Sequence, residues 1–137
     1  MDFWDKLIEL RILINSVCDG FAIDNLNKNL SLSTKTKILF LLKDKDLCPS
    51  DMVLSLGIAK TNLANILKSM MDEELIISYK NIDNSKNVFY RITAKGSKDL
   101  CCYKEKLKEI ETLKNAQNDD KITESLNNII HFLKGEN

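Results

Sequence analysis

The hydrophobic period of this chain changes in mid-sequence, and that change limits its folds more than any other feature. Between Ala59 and Asp72 the apolar residues Leu63, Ile66, Leu67 and Met70 fall at i, i+3, i+4 and i+7, which is one face of a helix. Thr61, Asn62, Asn65, Lys68 and Ser69 share the opposite face. After Glu74 the period drops to two. Leu75–Tyr79 is rich in strand-forming residues, the polar run IDNSKN follows, and Val88, Tyr90 and Ile92 then alternate onto one side of a second strand. An amphipathic helix running directly into a hairpin with a polar, basic tip at Asn84, Ser85, Lys86 and Asn87 is the expected result.

The residues upstream complete a helical unit. Pro49 suits a first helical position, because its missing N–H would have had no partner within the helix. Ser50 and Asp51 follow, where oxygen-bearing side chains favour the helix dipole. Gly57 ends this short helix in a left-handed turn, with one or two residues leading to the next helix, so the two form a helix-turn-helix. Before them, Ser31 or Ser33 can cap a helix that buries Ile38, Leu39, Leu41 and Leu42. An opening helix over 3–27 carries Phe3, Leu7, Leu10, Ile14, Val17 and Phe21 on one face. Thr93 caps a further helix over 94–115 with Leu100, Tyr103, Leu107, Ile110 and Leu113. A last helix over 121–134 carries Ile122, Leu126, Ile129, Ile130 and Leu133. The fold class expected is mainly α (α+β), with four helices, a two-stranded hairpin and two helices.

Charge decides what the hairpin and its preceding helix meet. The net charge is zero over 137 residues, yet 33–98 holds eleven Lys and Arg against seven Asp and Glu, and the ends hold nine against thirteen. A basic middle with acidic ends leaves one face suited to phosphate. Asn62 and Asn65 can pair in bidentate fashion with adenine in the major groove, with Thr61 and Ser69 reaching bases or backbone. Lys60 and Lys68 are phosphate contacts that set register without reading sequence. Lys86 at the hairpin tip is the candidate for the adjacent minor groove, with Lys80 and Arg91 as weaker phosphate contacts.

Other classes find no support. Cys18, Cys48, Cys101 and Cys102 contain no CxxC pair, and the lone His131 is remote from them, so zinc spacing is absent and four free thiols are expected. There is no Gly-rich phosphate loop and no set of catalytic groups around His131, so no enzyme and no cofactor are expected. No run approaches the roughly eighteen apolar residues of a membrane span, and MDFWDKLIELR does not read as a signal peptide, which places the protein in the cytoplasm. The rival to DNA binding is a winged-helix module for protein–protein contact. Such a module would carry apolar or acidic residues where this helix carries Thr61, Asn62, Asn65, Lys68 and Ser69.

The stretch from Pro49 to Gly96 resembles the winged-helix core of the MarR family of bacterial transcriptional regulators. Three motifs carry the resemblance: the short helix opening with Pro49, Ser50 and Asp51; the polar-faced helix after it; and Ile92-Thr93-x-x-Gly96, similar to the family's Leu-Thr-x-x-Gly. Two features depart from the pattern. Asn84-Ser85-Lys86 stands where the family has Asp-x-Arg, so the charge is kept without the planar fork. Glu74 stands where the family closes its recognition helix with glycine. The resemblance implies one domain over 1–137, with a DNA-binding lobe at 31–96 and dimerisation helices at 1–28 and 97–137. It also implies a homodimer on double-stranded DNA, a repressor reading a pseudo-palindrome whose half-sites lie ~34 Å apart. A small aromatic ligand between the dimerisation helices and the lobe is a further implication, with Trp4, Phe21, Phe40 and Tyr103 as lining, although aromatic residues at helical spacing are more often core. Some relatives in the family sense peroxide through a cysteine on the first helix; Cys18 reads better as a small buried hydrophobe.

Overall fold

The computed structural model describes residues 2–24, 32–80 and 87–135, with the side chains of 15–24, 111 and 112 outside that description. Seven helices and one hairpin follow in order: α1 (Phe3–Asp24), α2 (Thr34–Leu42), α3 (Pro49–Leu56), α4 (Lys60–Asp72), β1 (Ile76–Lys80), β2 (Val88–Ile92), α5 (Ala94–Lys108), α6 (Glu111–Lys114) and α7 (Asp120–Leu133), with a 3₁₀ turn at Ala116–Asn118. The chain divides into two compact units, one of residues 32–104 and one of 1–31 with 105–137. No helix among the described residues is long and apolar enough to cross a membrane.

The unit of residues 32–104 is built around the periodic residues singled out above. Ile38, Leu39 and Leu42 of α2, Met52 of α3, and Leu63, Leu67 and Met70 of α4 are buried together with Leu47, Leu75, Ile76 and Leu100. Ile66 is only partly buried and packs at the margin of this core. Ser33, not Ser31, caps α2 by accepting the Thr36 N–H at 3.2 Å; Ser31 lies outside the described residues. Pro49 occupies the first turn of α3, and Gly57 closes it at φ 65°, ψ 32°. After Gly57 two residues, Ile58 and Ala59, lead to α4 at Lys60, within the turn expected.

The end of α4 explains why β1 begins at Ile76 rather than at the expected Leu75. The Leu75 N–H donates to the Met70 carbonyl and the Glu74 N–H to the Met71 carbonyl, both at 2.9 Å. These paired bonds form a Schellman closure that uses Leu75 as its apolar plug, before the ladder starts. The residue that turns the chain is Glu74, at φ 63°. Glutamate therefore adopts the left-handed conformation that glycine would take without strain. The departure in sequence is thus not a departure in backbone geometry.

β1 and β2 pair antiparallel with Ile76 opposite Ile92 and Lys80 opposite Val88. Ile76, Tyr90 and Ile92 pack on the core, while Ile77, Tyr79, Phe89 and Arg91 share the other face of the ladder. Leu47 adds an isolated bridge to the free edge of β2, with Tyr90 N–H donating to Leu47 O at 2.9 Å and Leu47 N–H to Tyr90 O at 3.3 Å.

Thr93 and Gly96 lock the hairpin to α5. The Thr93 hydroxyl accepts the Gly96 N–H at 3.1 Å and reaches the carbonyls of Glu74 and Leu75 at 2.7 and 3.0 Å. A Cβ on Gly96 would lie 2.3 Å from the Leu75 carbonyl oxygen, which is why no larger residue fits there.

Residues 94–115 do not form the single helix expected. α5 ends at Lys108, and Ile110 adopts an extended conformation (φ −73°, ψ 113°) while 1% exposed. The chain leaves α5 through bonds from Glu109 to Lys106 and from Ile110 to Leu107. It restarts as Leu113 and Lys114 donate to the Ile110 carbonyl. Periodicity counts Ile110 as one more position on a stripe; burial at a bend is a tertiary matter. In the same unit, Phe3, Leu7 and Leu10 of α1 line an apolar groove with Ile129, Phe132 and Leu133 of α7.

Candidate nucleic-acid interface

α4 presents the side chains that sequence selected for reading DNA. Its inward stripe of Leu63, Leu67 and Met70 is at most 2% exposed, which fixes the helix's rotation. Thr61, Asn62, Asn65 and Lys68 are exposed on the other side. The helix starts at Lys60 with Ala59 in the capping position and no side-chain cap, so its first N–H groups carry the positive end of the dipole without an internal acceptor from that cap.

Ser69 differs from its neighbours. It is half-buried, and its hydroxyl donates to Glu73 at 3.1 Å. Glu73 also takes an ion pair from Lys35, and its backbone carbonyl accepts from Lys95 at 2.8 Å. The Lys35 contact, followed by that of Ser69, holds the Glu73 carboxyl below its usual range. Ser69 therefore serves the C-terminal end of α4 in this conformation. Asp72, two turns beyond Asn65, adds an exposed acid at the last helical position, so the acid-free character of the face is limited to its first three turns.

Ser50 and Lys60 line one groove together with Cys48, Pro49, Val53, Leu54 and the hairpin residues Asn87 and Val88. The starts of α3 and α4 and the foot of the hairpin thus share a surface. The Ser50 hydroxyl lies 3.1 Å from the Cys48 thiol, which also donates to Asp51 at 3.1 Å. Lys80 is exposed at the end of β1. Lys86, the chosen tip residue, lies outside the described residues.

Arg91 is engaged within the protein. Its Nη2 lies 2.9 Å and its Nε 3.2 Å from Asp46 Oδ2, and its guanidinium sits 5.1 Å over the Tyr79 ring. The Tyr79 hydroxyl donates to the same carboxylate oxygen, and Tyr79 stacks on Phe89 at 6.0 Å. Hydrogen bonds from Arg91 and then from Tyr79 hold the Asp46 carboxyl below the ordinary range, while Asp46 pushes the Tyr79 phenol up. Sequence reading found Arg91 but not Asp46 or Tyr79, because partners 45 and 33 residues apart leave no local pattern.

The remaining candidates are more dispersed. Phe40 is exposed beneath the Lys43 ammonium at 5.1 Å, and Tyr103 is half-buried. The side chains of Phe21 and Cys18 lie outside the described residues. Cys48, Cys101 and Cys102 are free thiols, and among the described residues no cluster of His, Cys, Asp and Glu could hold a metal.

A helix-turn-helix followed by a paired hairpin, with an amphipathic helix leading in and more helices following, is a winged-helix architecture. Comparison with solved structures gives the same fold. The chain is similar to the transcriptional regulator BldR from Sulfolobus solfataricus, with 20% identity, 95% of this chain and 98% of that one covered, and a TM-score of 0.64. It is similar to apo MarR from E. coli at 10% identity, with 97% and 96% covered and a TM-score of 0.68. A MepR variant from S. aureus bound to an oligodeoxyribonucleotide matches at 16% identity over 98% and 99% of the two chains, with a TM-score of 0.62. No protein-family model and no curated protein sequence matches.

Proposed function

We propose that this chain is a sequence-specific DNA-binding transcriptional regulator without catalytic activity, acting in the cytoplasm as a homodimeric repressor on a pseudo-palindromic operator. The observation that carries the reading is α4: its apolar stripe is sunk in the core, leaving Thr61, Asn62, Asn65 and Lys68 outward. Side chains of that kind hydrogen-bond base edges and phosphate, which apolar or acidic ones would not. One protein of similar fold is named as a transcriptional regulator, and another is bound to an oligodeoxyribonucleotide.

Dimerisation rests on α1 and α7. Trp4, Ile8 and Ile12 follow one another at i, i+4 and i+8, apart from the Phe3–Leu7–Leu10 row that meets α7. All three are about 60% exposed or more in the single chain. A second copy covering this row removes it from water and brings two α4 helices into one assembly. Relief of repression by a small aromatic ligand belongs to the same reading, and stabilisation in a thermal-shift screen of such compounds is its expected sign.

The test is a fluorescence-anisotropy titration with palindromic duplexes at two salt concentrations, beside an Asn65→Ala, Lys86→Ala variant. Selective binding that weakens steeply with salt and falls in the variant by roughly tenfold or more is expected, since one bidentate base contact is worth about 1–3 kcal/mol. Weak, unselective binding unchanged in the variant would turn the reading toward a protein-interaction module.

A further inference from the structure

Arg91 is a basic residue on the hairpin of a DNA-binding lobe, yet its guanidinium is spent on a carboxylate. Asp46 belongs to the loop between α2 and α3 and hydrogen-bonds to both strands of the hairpin, through Arg91 on β2 and Tyr79 on β1. One residue further on, Leu47 exchanges two backbone bonds with Tyr90. The loop that launches α3 is therefore joined to the hairpin by a backbone bridge on one side and a three-membered polar cluster on the other.

We propose that Asp46 is a positioning residue for DNA binding: by clamping Arg91 and Tyr79 it aims the hairpin relative to α3 and α4, and Arg91 acts as a brace and not as a phosphate contact. The proposal rests on the DNA-binding reading above and sharpens it. The clamp suits a brace because the guanidinium meets the carboxylate through two of its nitrogens and stacks on Tyr79, a planar arrangement that lysine could not reproduce. It is ill-suited to phosphate binding, since the carboxylate cancels the charge that a phosphate would seek.

The sign of one substitution separates the two roles. Removing an acid beside a DNA-binding surface strengthens binding if only charge matters. If Asp46 aims the hairpin, Asp46→Asn weakens binding instead, by roughly threefold to tenfold, the scale of one partly exposed pair with an added hydrogen bond. Arg91→Gln should cost a similar factor while the slope of log K against log salt stays at the wild-type value. A lost phosphate contact would lower that slope by roughly 0.9. The double variant should be no weaker than the weaker single, because the pair acts as a unit. Amide exchange at Tyr90, measured without DNA, should quicken in both singles, with circular dichroism reporting an intact fold. Asp46→Asn binding as tightly as wild type or tighter, a reduced slope in Arg91→Gln, or unchanged exchange at Tyr90 would each overturn the proposal. Wild-type protein that fails to bind any duplex overturns the DNA reading instead, and the exchange measurement still decides whether the brace exists.

Discussion

The two compact units bury their apolar residues to very different degrees. In the unit of 32–104, eleven hydrophobic side chains from three helices, a loop, the hairpin region and α5 form one closed core. In the other unit Ile110 is the buried hydrophobe among the described residues, whereas Phe3, Trp4, Ile8, Ile12, Leu126, Phe132 and Leu133 are more than half exposed. α7 is cleanly capped by Asp119, which accepts from Lys121 and Ile122 at 2.9 and 3.4 Å, so its exposure is not a sign of a frayed helix. The first unit has the hydrophobic material to hold itself together. The second has well-formed helices that leave much of their apolar surface uncovered in the single chain.

The largest expected effect tests the closed core. Leu67→Ala should lower the unfolding free energy by about 2–5 kcal/mol in urea denaturation. Leu126→Ala, at a side chain 52% exposed in the single chain, should cost far less at protein concentrations where the chain is monomeric. Equal losses for the two would erase the contrast. Next comes Ile8→Lys, which should raise the dissociation constant of the dimer at least about tenfold in sedimentation equilibrium, with the lobe's thermal unfolding unchanged in monomer. A smaller effect of opposite sign is expected at the end of α4. Glu74→Gly should stabilise the lobe by about 1 kcal/mol or less, because relief of the left-handed strain is only partly offset by the chain entropy that glycine adds to the unfolded state.

The smallest effect concerns pH. The Asp46 carboxyl titrates below its ordinary value of 3.8 because Arg91, then Tyr79, hydrogen-bond its charged form. A depressed carboxylate contributes stability above its unfolded value and loses it as pH falls through the folded one. The hairpin clamp should therefore be constant at neutral pH and fade only below about pH 4. In an NMR titration Arg91→Gln should move the Asp46 midpoint upward; an unmoved midpoint would separate Arg91 from the clamp.

Much of the architecture was legible because its causes are local. Pro49 and Gly57 bound α3 through the conformations they permit, and Ser33 caps α2 through a bond three residues away. The 3.6-residue stripe of α4 predicts the residues that turn inward, Leu63, Leu67 and Met70. The outward set was legible for the same reason, as the complement of that stripe. Ser69 was the exception: its position on the wheel is that of a reader, but Glu73, one turn on, takes its hydroxyl.

Other features had no local signal. That Leu75 plugs a helix end instead of starting a strand depends on Glu74 accepting a positive φ, which composition disfavours. The break at Ile110 lies in a stretch without proline or glycine. Gly96 reads in sequence as one member of a motif, and only the 2.3 Å approach of the Leu75 carbonyl gives the reason for it.

The sequence by itself determined the order of elements as far as α5, the periods of their faces and the polar surface of α4, since these follow from backbone preferences and side-chain spacing within a few residues. Tertiary structure alone decided which charges are available. Lys68 and Arg91 both read along the chain as phosphate contacts, the second a weaker one, yet folding leaves the first exposed and delivers the second to Asp46, 45 residues away. A charge acts on whatever lies within a few ångströms of it, and that neighbourhood exists only once the chain has closed.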